Sequence, residues 1–151
     1  LADFEQMMDT NVKGLLYITK LIVPEMIEQE KGHIINISSI AGIEVYPGGS
    51  VYCASKHAVN AITKGLRIDL VKHGIKVSSV SPGMAETEFS IVRYHGDEEK
   101  AKAVYNGLVP LNAEDIADTV EFIVTRPPHV SINDIQLNPA QQANTYISHR
   151  K

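Results

Sequence analysis

The sequence predicts an α/β fold built on a parallel β-sheet. Three short segments, 33–38, 75–81 and 134–137, have the length and composition of strands, and long helical patterns separate them. Strands that alternate with helices are joined by right-handed crossovers, so neighbouring strands are expected to be parallel. The first of these segments is apolar almost throughout, which is typical of a strand covered on both faces.

Composition is that of a globular protein of one domain. The 151 residues are 44% hydrophobic and 21% charged, with a net charge of −4. The negative charge argues against a nucleic-acid surface, and no apolar run approaches the roughly 20 residues that a membrane span needs. The single cysteine, Cys53, allows no internal disulfide, which fits a reducing cytoplasm, and the six histidines lack metal-ligand spacing.

The first predicted element is a long helix over residues 3–31. Apolar side chains recur there at helical spacing, Asp3 can cap the start, and Gly32 ends it. Pro24 lacks a backbone donor, so we expect it to kink this helix or to begin a second segment.

Two further main helices are predicted. One runs from Val51 to His73 and closes at Gly74, and the other runs from Glu114 to about Thr125 behind an Asn112 cap. Between them, after the second strand, the stretch 84–111 contains only a short charged helix, from Asp97 to about Asn106. Residues 139–151 are expected to form a C-terminal tail.

A serine, a tyrosine and a lysine form the most informative pattern. If the residues from Val51 onward are helical, Tyr52 and Lys56 lie one turn apart on the same face. A free phenol ionises near pH 10, and an ammonium within about 4–6 Å lowers that pKa, which suits the phenol to acid–base work. Ser39, thirteen residues before Tyr52, can hold a substrate oxygen beside the phenol. A Tyr-x-x-x-Lys pair alone also occurs by chance.

Asn11 upstream and the segment Pro82–Thr87 (PGMAET) downstream complete the pattern. Together with Ser39, Tyr52 and Lys56 they resemble the short-chain dehydrogenase/reductase family, over nearly the whole chain. Four more segments are similar to the branch that oxidises serine, allo-threonine and related 3-hydroxy acids with NADP: 87–90, 92–94, 96–97 and 128–133.

The resemblance implies a catalytic role for four residues. Tyr52 is the general acid/base, Lys56 lowers its pKa and bonds the nicotinamide ribose, and Ser39 orients the reacting hydroxyl or carbonyl. Asn11 matches the asparagine that holds a water in the proton relay. The alternative for Asn11 is a residue that kinks its helix by bonding its own backbone.

The implied cofactor is NADP, and NAD is not excluded because the segment that selects between them is not found in these 151 residues. The turn after the second strand is where ligands bind in open α/β sheets. Ala85 stands where family members often carry a larger aliphatic residue, so its contact is expected to be weaker or made by main chain alone. The implied contacts, besides Tyr52 and Lys56, are Pro82, Gly83, Ala85 and Thr87.

Arg93 is the predicted substrate residue of the stretch 84–111, which in the family folds over the substrate as a lid. A 3-hydroxy acid brings a negative charge into a partly dry pocket, and a guanidinium can meet it with two parallel hydrogen bonds. The alternative is that Arg93 pairs with an acidic residue on the lid surface, where such a bridge is worth at most about 1 kcal/mol.

The chain shows no Gly-rich strand–turn–helix fingerprint for a dinucleotide pyrophosphate. The segment 33–38 is also a poor edge strand, because unpaired backbone groups there invite aggregation. In the family the fingerprint lies within the roughly one hundred residues that precede the position of Leu1. We therefore expect residues 1–151 to be the C-terminal, catalytic half of a doubly wound Rossmann fold.

Two other functions stay open. A 3-oxoacyl-thioester reductase of the same family shares every catalytic residue. A truncated, non-catalytic fragment would keep only assembly surfaces, since the family helices that match 3–31 and 51–73 pack against a second subunit and the implied oligomer is a homotetramer. Glycines at fingerprint spacing ahead of Leu1 would favour the enzyme.

Overall fold

A computed structural model describes residues 1–151 and confirms the α/β class with a parallel sheet. The three strands lie in the order β1-β2-β3, and both neighbouring pairs are parallel. Gly32 pairs with Ile75, and Ser79 pairs with Asp134. The strands are β1 (Gly32–Ile37), β2 (Ile75–Pro82) and β3 (Asp134–Leu137).

Six α-helices accompany the sheet, and 3₁₀ turns follow β1 at Ile40–Gly42 and the third helix at Val71–His73. None of the helices combines the length and the apolar character that a membrane crossing requires. The helices are α1 (Ala2–Met8), α2 (Leu15–Glu28), α3 (Ser50–Leu70), α4 (Phe89–Arg93), α5 (Glu98–Ala103) and α6 (Ala113–Val124).

The N-terminal helix differs from the prediction. A π-helical segment, Asp9–Gly14, separates α1 from α2, and α1 begins after Leu1 without a side-chain cap, so Asp3 is not its cap. Helix α2 continues through Pro24 to Glu28, so the proline does not begin a second segment. The irregularity lies instead at the wider π-turn, which carries a side chain that bonds α3.

The later elements follow the predicted pattern closely. Gly74, with φ 70°, ends the turn after α3 in the left-handed conformation. Asn112 and Asp115 form a reciprocal capping box at α6. Strand β3 has the predicted bounds, while the short helix after Asp97 ends at Ala103 and helix α4 was not predicted.

The central strand β2 is buried along nearly its whole length, and the core lies where α2 and α3 pack against it and β1. Ile34, Leu70, Ile75 and Val77 form this core. Within residues 1–151, β1 is an edge strand despite its apolar sequence, and Ile37 is 47% exposed. Nothing in this chain pairs with the free side of β1.

The segment 139–151 contains no helix or strand, and it is docked on the rest of the chain. Thr145 donates from its backbone N–H to Glu44 at 3.2 Å, and Gln142 is buried with its amide oxygen accepting from the Met84 N–H at 2.8 Å. This segment therefore helps to form the wall of the main cavity.

Candidate active site

A cavity of about 590 Å³ opens at the carboxyl ends of β1 and β2. Parallel strands bring the loops that follow them to the same edge of the sheet, which is why residues from distant parts of the sequence meet there. Eight of the nine predicted site residues line the cavity: Ser39, Tyr52, Lys56, Pro82, Gly83, Ala85, Thr87 and Arg93.

The hydroxyl of the predicted serine lies beside the phenol of the predicted tyrosine and lowers its pKa. Ser39 follows β1 in an extended conformation, and its Oγ also accepts from the Ala41 N–H at 3.1 Å and lies 3.4 Å from the Pro82 carbonyl. Tyr52 sits in the first turn of α3, with Lys56 one turn later on the same helix. The three side chains therefore converge on one place, as the spacing indicated.

The charge balance of this group differs from the expectation. Burial raises the pKa of the Tyr52 phenol more than the hydrogen bond from Ser39 lowers it. Burial also lowers the pKa of Lys56, whose Nζ donates to the Ile37 carbonyl at 3.1 Å and lies 5.9 Å from the centre of the Tyr52 ring. Burial thus outweighs the Ser39 hydroxyl and the Arg93 guanidinium, which both lower the pKa of Tyr52, and that pKa lies above its ordinary value.

Asn11 does not line the cavity. Its Nδ2 donates to Ser55 Oγ at 3.1 Å, and that hydroxyl donates to the Tyr52 carbonyl at 2.8 Å. The side chain therefore bonds to α3. The alternative, in which Asn11 bonds its own backbone, is not observed. The position of Asn11 ties the π-helical segment to the turn of α3 that carries Tyr52.

Arg93 ends helix α4 beside two aromatic rings. Its Cζ lies 5.7 Å from the centre of the Tyr46 ring and 5.9 Å from that of Tyr94. It forms no ion pair, whereas the lysines of α5 do, Lys100 with Asp97 and Lys102 with Glu98. The surface-bridge alternative is not observed, and the guanidinium faces a cavity that it shares with Tyr52.

Several cavity residues were not predicted, because they reach it through tertiary packing and lie outside the motif. The Phe89 ring lies 5.4 Å from the Tyr52 ring at 49°. Gly49 was the one sign of Tyr46 in the sequence, because the Tyr46 ring occupies the space that a side chain at position 49 would need. The others are Tyr105, Gln142 and Thr145.

The cavity presents hydrogen-bonding groups suited to a neutral amide and to hydroxyls. Lys56 donates one of its three N–H groups to the Ile37 carbonyl, and the other two N–H groups remain available to a ligand. The backbone of Met84 and Glu86 pairs with Leu111, and the N–H of Ala85 between them has no partner in the chain. Thr87 Oγ1 accepts from the Phe89 N–H at 3.2 Å, and no group of three His, Cys, Asp or Glu side chains is placed to hold a metal.

This arrangement can move a proton on and off an alcohol oxygen. Tyr52 offers a phenol that can transfer a proton, Ser39 offers a hydroxyl beside it, and Arg93 offers a cation without an acidic partner in the same cavity. The Phe89 ring gives the Tyr52 ring an apolar neighbour on one side.

Comparisons with known proteins show which family the chain resembles. The family model for short chain dehydrogenase matches residues 1–97. The chain is 42% identical over 143 residues to serine 3-dehydrogenase of Rhizobium radiobacter, covering 95% of this chain and 57% of the relative. It is 44% identical over 147 residues to the NADP-dependent 3-hydroxy acid dehydrogenase YdfG of Salmonella typhi, covering 97% and 59%.

Solved structures show the same fold. The chain superimposes on the closed form of a serine dehydrogenase complexed with NADP⁺ with a TM-score of 0.93 at 42% identity, covering 99% of this chain and 61% of that one. Serine dehydrogenase from Escherichia coli gives 0.77 at 36% identity, covering 94% and 56%. The chain spans about 58% of the length of curated relatives, in agreement with part of a Rossmann fold. It belongs to the short chain dehydrogenase family.

Proposed function

We propose that the protein is an oxidoreductase that transfers a hydride between NADP and the C3 hydroxyl carbon of a small 3-hydroxy acid such as serine or allo-threonine. The observation that supports this substrate class is the position of Arg93, a guanidinium without an acidic partner in the same cavity as Ser39 and Tyr52. A carboxylate is the group that such a cation holds best. Relatives named serine 3-dehydrogenase and 3-hydroxy acid dehydrogenase support the same class.

In the proposed reaction, Tyr52 takes the proton of the substrate alcohol during oxidation and returns it during reduction. Ser39 donates a hydrogen bond to the reacting oxygen and stabilises the charge that develops there. Lys56 favours the phenolate, which matters because burial of Tyr52 opposes that charged form. Asn11 holds the Tyr52 turn through Ser55, and its part in a water relay stays a prediction.

The cofactor residues fit a nicotinamide nucleotide. When bound, NADP accepts or supplies the hydride, and the protein supplies orientation and electrostatics. The two spare N–H donors of Lys56 suit ribose hydroxyls, and the free N–H of Ala85 suits the carboxamide oxygen. Pro82, Gly83 and Thr87 line the same wall. NADP is preferred over NAD because relatives with NADP in their names or titles resemble the chain closely.

A second candidate substrate class is a small aldehyde that carries another anion. The chain is 45% identical over 144 residues to sulfoacetaldehyde reductase 2 of Chromohalobacter salexigens, whose named substrate bears a sulfonate. Arg93 would serve a sulfonate as well as a carboxylate. A 3-oxoacyl thioester has no anion next to its reacting carbon, so Arg93 would have no group to bind in that substrate. This difference favours a small anionic substrate over the thioester alternative.

The lid, residues 84–111, carries the proposed selectivity. In the full-length protein, Arg93→Leu should raise KM for serine or 3-hydroxybutyrate at least about tenfold, or ~1.4 kcal/mol, and should affect the neutral methyl esters far less. Arg126→Met is the matched control, because Arg126 bonds only to the end of its own helix. Equal losses for acid and ester in Arg93→Leu would contradict the proposed carboxylate site.

Assembly is also a proposal. A homotetramer is supported by the apolar side chains that α2 leaves uncovered, with exposed fractions of 43%, 65%, 62% and 78% at Leu16, Tyr17, Ile18 and Leu21. A light-scattering mass of the full-length protein tests it, and a monomer at micromolar concentration would contradict it.

A further inference from the structure

Tyr105, which follows helix α5, joins two walls of the cavity through its hydroxyl. The phenol donates to the Ala85 carbonyl at 2.9 Å and lies 2.7 Å from Ser90 Oγ. A phenol has one proton to donate, so Ser90 donates to Tyr105 and Tyr105 donates to Ala85. Ser90 is only 3% exposed, and a buried hydroxyl of this kind is costly to leave unpaired.

The two bonded residues lie on elements with different tasks. Ala85 belongs to the wall with the proposed carboxamide contact, and its carbonyl is held while its N–H is left free. Ser90 belongs to α4, whose first residue packs on the Tyr52 ring and whose last residue is Arg93. Tyr105 therefore sets the position of the arginine relative to the backbone that meets the cofactor.

Arg150 bonds the backbone on both sides of Tyr105. Arg150 Nη1 donates to the carbonyls of Val104 and Asn106, the residues on either side of Tyr105, at 3.0 and 2.7 Å. The turn that follows Tyr105, at Gly107, also contacts Lys151. The Lys151 N–H donates to the Gly107 carbonyl at 2.9 Å, and a Cβ on Gly107 would lie 2.6 Å from the Lys151 carbonyl.

We propose that Tyr105 is a positioning residue that fixes Arg93 and the Ala85 peptide in register, and that Arg150 keeps Tyr105 in place. Arg150 thereby acts on the active site without touching it. The part of the proposal that concerns Arg93 rests on the proposed function. The part that concerns Ala85 needs only that a nicotinamide nucleotide binds.

The test uses Tyr105→Phe in the full-length protein, with Tyr146→Phe as the matched control because Tyr146 is 66% exposed and its hydroxyl makes no hydrogen bond. Tyr105→Phe should weaken NADPH binding, measured by its fluorescence, about fivefold, the effect of one typical hydrogen bond. The preference in kcat/KM for 3-hydroxybutyrate over its methyl ester should fall by a similar factor. Arg150→Met should change both quantities in the same direction.

Coupling supplies a second measurement. Ser90→Ala should lower the preference for the acid as Tyr105→Phe does, and the double variant should lower it less than about twofold further, because both changes break one network. A fully additive double variant, or a lower melting temperature with unchanged NADPH affinity and unchanged acid preference, would overturn the proposal. If Arg93→Leu itself leaves the preference unchanged, the proposed substrate fails, and NADPH affinity alone then decides the role of Tyr105.

Discussion

The Nζ of Lys56 donates to the Ile37 carbonyl at 3.1 Å and lies 5.9 Å from the centre of the Tyr52 ring. This hydrogen bond ties the lysine side chain of α3 to the last residue of β1, and it fixes the ammonium beside the phenol. Burial lowers the pKa of Lys56 and raises that of Tyr52, so burial opposes the charged form of each. A cation beside a phenol favours the phenolate, and the Arg93 guanidinium lowers the pKa of Tyr52 in this way, although less than burial raises it. We expect the Lys56 ammonium to act in the same direction.

Replacing Lys56 with Met should therefore move the acidic limb of the oxidation pH profile upward by about one unit. Oxidation needs the Tyr52 phenolate as a base, so the rate rises as the pH passes upward through the pKa of Tyr52. Without the cation that pKa rises further. Profiles of kcat/KM check this, with Lys64→Met, an exposed lysine later on α3, as the control. An unmoved limb would mean that Lys56 acts only through the ribose.

Tyr52→Phe should lower kcat by about a hundredfold or more, because it removes the proton-transfer group. The phenyl ring still packs against Phe89, so the wall of the cavity is kept. NADPH affinity, followed by fluorescence, should stay within about threefold of the wild type. Tyr146→Phe, at a 66% exposed position that does not line the cavity, should leave both quantities unchanged. Activity above a few per cent in Tyr52→Phe would assign the acid–base work to another residue.

The part of this site that could be predicted depends on local spacing and on sheet topology. Tyr52 and Lys56 meet because they are one helical turn apart, and Ser39 joins them because it follows a parallel strand. Gly74 and Asn112 marked their helix ends correctly, since a left-handed turn and a capping box need those residue types.

Features that depend on tertiary packing could not be predicted in this way. Phe89 begins the five-residue helix α4, which is too short to show a periodicity, and Tyr46 lies in the loop before α3, so nothing local directs either residue to the cavity. The π-helical segment Asp9–Gly14 is accompanied by a bond to Ser55 on another helix. The direction of the Tyr52 pKa follows from burial, which residue spacing does not reveal.

Outside the active site, Arg67 joins α3 to two strands. Its Nε donates to the Val77 carbonyl at 2.9 Å, and its two terminal nitrogens donate to the Asp134 carboxylate at 3.2 and 3.1 Å. Ser79 Oγ donates to the same carboxylate at 2.7 Å. Burial alone would raise the pKa of Asp134, but the hydrogen bonds from Arg67 and Ser79 outweigh it and leave that pKa below its ordinary value.

The lowered pKa of Asp134 predicts how its contribution to stability varies with pH. The folded state favours the carboxylate, so the contribution is fully present above the ordinary aspartate pKa of about 3.9 and is lost as the pH falls through the lowered value. Asp134→Asn should therefore reduce the free energy of unfolding in urea at pH 7, and the gap to wild type should narrow below about pH 4. Asp118→Asn, an exposed aspartate on α6 with no partner, should show little gap at any pH. A gap for Asp134→Asn that stays constant or widens in acid would show that the carboxylate charge is not what stabilises this junction.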